Sequence, residues 1–306
     1  MFYIDYKTYE RGKEDVCMLG KVIKYEWKKV GKVGLILFLT ILAVTVLEGV
    51  IVRMPFVMDA FSVEKMNRYH ARQQNVITEI GLIVSLVMYA LLVAGCLYGL
   101  LIYLTVRFYK TMFTAKGYLT HTLPVKPHQL LLSKLFVGGM WYIIIQLAGL
   151  VSFVVVVILF GATMYQGVYS DAGLMDVWLS LWEAIAALIG EYGVEMVPLA
   201  AIPVWLIIIA PFTVVMMLFG SFTVGQLAPK GKVVIGIATY AGVMIVNGLL
   251  TFFVQIAMNI ICPPTYENIV MYFVGQYISP VVVSLIIGIV MYIVSHLIIS
   301  KHLNLD

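Results

Sequence analysis

Residues 81–106 read GLIVSLVMYALLVAGCLYGLLIYLTV, a stretch without a single charge between Glu79 and Arg107. As a helix rising 1.5 Å per residue, the run is about 39 Å long, more than the roughly 30 Å of a bilayer's hydrocarbon core. A transmembrane strand would alternate polar and apolar positions over about ten residues, which this continuous run does not do. A lone helix also satisfies its own backbone polar groups, as lipid demands. Five further runs of the same kind follow from the sequence, at about 33–52, 136–160, 197–220, 233–258 and 278–299. The composition agrees: over 306 residues, 62% are hydrophobic and 12% charged, with a mean hydropathy of +1.00. The expected fold is an all-α integral membrane protein with six transmembrane helices, forming one membrane domain over 1–306.

The few charges orient the spans. Lys7, Arg11, Lys13, Lys21, Lys24, Lys28, Lys29 and Lys32 precede the first span, and Arg107, Lys110, Lys116, Lys126 and Lys134 follow the second. Lys230, Lys232 and Lys301 fall on the same side, so sixteen of the twenty Lys and Arg share it, and basic flanks mark the cytoplasmic face. Both termini are therefore expected inside. The opposite side takes Arg53, Lys65, Arg68 and Arg72 together with Asp171, Asp176, Glu183, Glu191, Glu195 and Glu267. The opening residues, MFYIDYKTYERGKEDV, hold charges of both signs and no apolar core, which is unlike a secretory signal. The net charge of +4 reads as topology and contact with the lipid bilayer, with no nucleic-acid motif. Cys17, Cys96 and Cys262 lack the spacing of a disulfide framework or a zinc site, so no metal is expected.

Three segments outside the spans carry information. Residues 15–32, DVCMLGKVIKYEWKKVGK, place Met18, Val22, Ile23 and Trp27 near one side of a helix with lysines over the rest. Such an N-terminal amphipathic helix suits the inner interface, as an anchor or as a lever moving with the first span. Residues 174–188, LMDVWLSLWEAIAAL, are amphipathic too and too polar to span; they fit the outer surface with Trp178 and Trp182 at headgroup level, or a lid over an exit. The inner loop 107–135, RFYKTMFTAKGYLTHTLPVKPHQLLLSKL, has five basic residues and no acid, yet exposes Tyr118, Leu119, Leu123 and Val125. Pro124 and Pro127 interrupt any continuous helix. The second span should continue to about Thr114, turn at Gly117, and give way to a new helix starting at Pro127. Such an elbow suits either an ordinary loop on the headgroups or a docking knob.

Within the spans, Glu48 is the one formal charge, about 22 Å along the helix from Val33 and so near the outer interface. It fits outward snorkelling or pairing with Arg53, or a place in a gate or substrate path. Gln146, Asn247 and Gln255 are amides of the kind that hydrogen-bond between helices, and Asn247 is also a candidate for the substrate path. Gly95 and Gly99 form a GxxxG that permits close helix approach, within the chain or across a dimer. Pro198, Pro203 and Pro211 predict a bent fourth span.

The string KGYLTHTLPVKPHQLLLSKL (116–135) resembles the loop after the second span in membrane-spanning permease subunits of ABC-2 type ABC transporters. There a glycine, a Leu-Pro-Val turn and a Leu-Leu-x-Lys run recur in that order. Gly117, Leu119, Leu123, Pro124, Val125, Gln129, Leu131, Leu132, Ser133 and Lys134 carry the match. KYEWKKVGKV (24–33) is similar to the amphipathic entry of such subunits, and HLIISKHLNL (296–305) to the end of their last helix. The resemblance implies a multi-pass exporter subunit in the bacterial plasma membrane that moves an amphiphilic cargo outward. It implies a second permease subunit, identical or not, and a separate ATP-binding subunit on which ATP and magnesium reside. The coupling contact would be Lys116, Gly117, Tyr118, Leu119, Leu123, Pro124, Val125 and Lys126. Many family members carry an acid just before the glycine, where this chain has Lys116. No catalysis is expected in the chain itself: the nearest string to a phosphate-binding loop, GQLAPKGK (225–232), has Lys230 where the second glycine must stand. Two other readings share the composition: a structural or signalling polytopic protein without transport, and a secondary transporter, whose halves would be expected to repeat.

Overall fold

The computed structural model describes residues 6–54, 57, 69–114, 127–168, 175, 178–180, 182–183, 186–187, 190, 196–263 and 269–301. Their long helices are α1 (Tyr6–Val52), α2 (Tyr69–Met112), α3 (Pro127–Val168), α4 (Met196–Gly225), α5 (Lys232–Ile261) and α6 (Ile269–Lys301). Each contains a stretch long and apolar enough to cross a bilayer, so the chain is an all-α membrane protein with six spans. The first three helices, of 47, 44 and 42 residues, are much longer than the last three, of 30, 30 and 33. About twenty residues suffice for the hydrocarbon core, so α1, α2 and α3 all have turns to spare beyond it.

Residues 15–32 are helical as expected, and they join the first span without a break. The face they turn inward is the expected side opposite the lysines, and its most buried positions are ones the apolar stripe does not include. Glu26, Val30 and Gly34 are buried at helical spacing, while Lys21, Lys24, Lys28, Lys29 and Lys32 are exposed. Met18, Val22 and Ile23 are half-buried. α2 ends at Met112, two residues short of the expected Thr114, and α3 begins at Pro127. Proline suits a first helical position, where its missing N–H would have no partner anyway.

The residues gather into two compact units. One comprises Met1–Gly34, Leu100–Ile143 and Val197–Asp306, the other Leu35–Gly99 and Ile144–Met196. In the first, α4 is the packed helix: Met217, Leu218, Phe219 and Ser221 are buried along it, and Phe219 stacks on Phe108 of α2 at 4.1 Å and 6°. Glycines let neighbours approach, as is usual where helices meet in lipid. A Cβ on Gly139 would meet the ring of Phe212, and one on Gly220 would stand 2.7 Å from Met291 Cβ. Pro211 is buried within α4, which remains one helix through it. α5 is covered mainly by α6, where Ser284 Oγ donates to Asn247 Oδ1 at 3.1 Å. That bond is the interhelical role expected of an intramembrane amide. The turn into α5 is made at Gly231, whose φ of 68° lies in the left-handed region that glycine tolerates.

In the second unit, Ile41, Thr45, Glu48 and Val52 form the buried stripe of α1. Facing residues are Leu82, Tyr89 and Cys96 of α2, and Ile145, Ala148, Ser152, Val156 and Thr163 of α3. A Cβ on Gly95 or Gly99 would meet nothing within 4 Å, so that GxxxG makes no close approach within the chain among the described residues. The described positions between 175 and 190 are helical, with Trp178 and Trp182 exposed as a surface helix requires.

Candidate functional site

Glu26 is surrounded in sequence by lysines and in space by different cations. The residue is 6% exposed. Lys134 Nζ donates to Oε1 at 2.6 Å, and Arg107 donates to Oε2 through Nη2 at 2.6 Å and through Nε at 3.1 Å. Lys134 Nζ also donates to Thr111 Oγ1 at 2.8 Å, and the Thr111 hydroxyl donates in turn to the main-chain oxygen of Arg107. Val30, Leu104, Phe108, Val137 and Phe219 enclose the group, leaving a cavity of about 10 Å³. That is roughly room for one water. Charges so enclosed interact far more strongly than at a surface, but their desolvation is costly, so the cluster is a positioning device more than a source of net stability.

The helix periods bring these residues together. Glu26 lies one turn before Val30 and two before Gly34, on the face of α1 that packs. Gly34 abuts Trp141, where a Cβ would overlap the indole, and Gly31 would place one 3.1 Å from the same ring. Trp27 completes the contact with its centroid 5.4 Å from that of Trp141. On α3 the run that opens the helix packs along one side: Leu130, Leu131, Ser133 and Lys134 are buried, and Leu132 is exposed. Arg107 stands five residues before the end of α2, and Lys134 seven after the start of α3. One carboxylate therefore holds both helices that flank residues 115–126.

The sequence-predicted coupling residues Lys116, Gly117, Tyr118, Leu119, Leu123, Pro124, Val125 and Lys126 lie outside the described residues. Glu48 lies in the other unit and is 3% exposed. It accepts a hydrogen bond from Ser85 Oγ at 2.9 Å, so it is held inside the helix packing rather than snorkelling. One turn away, the hydroxyls of Thr45, Ser152 and Tyr89 bond to one another across α1, α3 and α2. Asn247 is engaged with Ser284 as described. Gln146 Oε1 is buried without a partner, and the main-chain oxygen of Gln255 accepts from Asn259. No group of acids, histidines and cysteines suited to a metal occurs among the described residues.

Glu26 was not singled out by its sequence context. A lone acid among five lysines between positions 21 and 32 was the available signal, matched by an acid-free loop needing a counter-charge. Comparison with family models, curated proteins and solved structures returns no match. The fold itself defines the class: a polytopic, multi-pass α-helical membrane protein.

Proposed function

We propose that this chain is the membrane permease subunit of an ATP-driven ABC-2 type exporter in a bacterial plasma membrane, moving an amphiphilic cargo outward. The observation that carries the reading is the Glu26 clamp. A loop that receives force from a soluble motor must pass it to the spans rather than dissipate it, and Glu26 joins both legs of the loop to α1 through bonds of 2.6 Å. The clamp also gives physical sense to the resemblance of 116–135: its Leu-Leu-x-Lys run is the packed, charge-bearing start of α3.

In this reading two permease subunits work with two ATP-binding subunits, which hold ATP and magnesium and perform the hydrolysis. Closure of the ATP-binding subunits draws on residues 116–126, with Leu119, Leu123 and Val125 as apolar plugs and Lys116 and Lys126 beside them. Because α2 and α3 share one counter-charge, the legs move together and carry α1 with them. The spans then reorient and release cargo on the outer side.

The test is a paired substitution, Leu119→Asp with Leu123→Asp, in the full chain expressed with its ATP-binding subunit. Membrane insertion should be retained and co-purification of that subunit lost. Undiminished co-purification would sink the docking assignment.

A further inference from the structure

Beside the clamp, α1 and α2 meet along a seam that carries further cations. Tyr103 Oη of α2 donates to the main-chain oxygen of Lys29 on α1 at 3.4 Å, which ties the two helices together at this level. Arg107 lies one turn beyond Tyr103 on the same side of α2, and Lys110 nearly one turn beyond Arg107. The Lys29 ammonium stands over the Tyr25 ring, 5.7 Å from its centre. Lys29 and Lys110 are exposed. Arg107 is half-buried, with 16% of its side chain exposed, and two of its five N–H donors are spent on Glu26.

The charges around this seam do not balance. Among the described side chains of 18–32, 107–114 and 128–134, eight Lys and Arg face one acid, Glu26. That carboxylate is already shared by Arg107 and Lys134, so an anion at the seam has to come from outside these segments. Toward the membrane centre the same faces turn apolar. Ile36, seven residues after Lys29 and on its face, is 61% exposed, and Ile102 and Val106 of α2 are 65% and 45% exposed. Cations at the edge of a span with exposed hydrocarbon beside them match an anionic amphiphile. A soluble acidic protein would leave that apolar strip uncovered. The basic-flank rule puts this end on the inner side, where anionic headgroups attract basic residues.

We infer that the α1–α2 seam binds one anionic phospholipid of the inner leaflet, its phosphate held by Lys29, Lys110 and the outer edge of Arg107 and an acyl chain along Ile36, Ile102 and Val106. The phosphate supplies the second anion that two cations on one carboxylate call for. This site stands whether or not the chain exports anything. It differs from diffuse attraction to a basic surface: Lys24 and Lys28 are exposed as well, but they lie about 140° and 100° round α1 from Lys29, turned away from α2.

The full chain is delipidated in mild detergent, titrated with phosphatidylglycerol or phosphatidylethanolamine, and its bound lipid counted by native mass spectrometry. One phosphatidylglycerol should bind about tenfold more tightly than phosphatidylethanolamine. Lys29→Gln with Lys110→Gln should weaken that binding about tenfold, and Lys24→Gln with Lys28→Gln should leave it unchanged. All four lysines are exposed, so both pairs retain the fold. Equal weakening by the two pairs would reduce the site to diffuse attraction and overturn the proposal, as would equal binding of the two lipids. Displacement by inorganic phosphate at the same concentration would assign the seam to a free anion, and co-purification of a protein held through Lys29 and Lys110 would assign it to a protein partner; either result overturns it.

Discussion

At Glu26, two cations meet one carboxylate, and the excess of charge decides what each substitution does. Glu26→Gln leaves the buried Lys134 beside the half-buried Arg107 without a counter-charge. Breaking a buried pair in this way costs about 3–5 kcal/mol. Lys134→Met removes the surplus cation and leaves a matched pair with Arg107, so it should cost clearly less. Thermal unfolding of the detergent-solubilised variants checks the order: Glu26→Gln with the larger loss supports the clamp, and the reverse order contradicts it. A steric expectation belongs beside this one. Gly34→Ala drives a methyl into the Trp141 indole, and overpacking of this kind costs about 1–3 kcal/mol. Combining it with Trp141→Leu should recover part of the loss. An additive outcome would show that the two residues do not share a contact.

The elements were legible in the sequence because their signals are local. Twenty uncharged residues are enough to identify a span, and Pro127 marked the start of α3 without reference to the rest of the chain. The clamp was not legible for the opposite reason: its partners are separated by 81 and 108 residues, and nothing near Glu26 specifies which distant cations it meets. The lysines of 15–32 concealed it, since a run of exposed lysines looks the same whether or not one acid faces inward. The five basic residues of 107–135 had no acid in their own segment, and the structure supplies one from α1. Helical phase provides the element-scale test. One alanine inserted after Phe136 rotates Lys134 by about 100° relative to the packed remainder of α3, away from Glu26. Its thermal stability should fall to at least that of Lys134→Met, and an unchanged midpoint would show that phase at this point is immaterial.

Six spans, an even number, put the two flanks of the whole molecule on one side, and sixteen of its twenty basic residues choose the inner one. In a chain freed of Cys17, Cys96 and Cys262, an impermeant maleimide added to intact cells should label Ser180→Cys and spare Ser300→Cys until the membrane is opened. The reverse pattern would invert the topology and remove the elbow from reach of any cytoplasmic motor. Glu48 adds a second buried carboxylate in the other unit, bonded to Ser85. What separates a transporter subunit from any other polytopic protein of this composition is the motor it must borrow. The most direct measurement is native mass spectrometry of the full chain purified from its own membrane in mild detergent. Two copies of the chain with two ATP-binding subunits are expected, reduced to the permease subunits alone by Leu119→Asp with Leu123→Asp. Recovery of the chain with no ATP-binding subunit, under conditions that preserve its membrane assembly, would contradict the exporter reading.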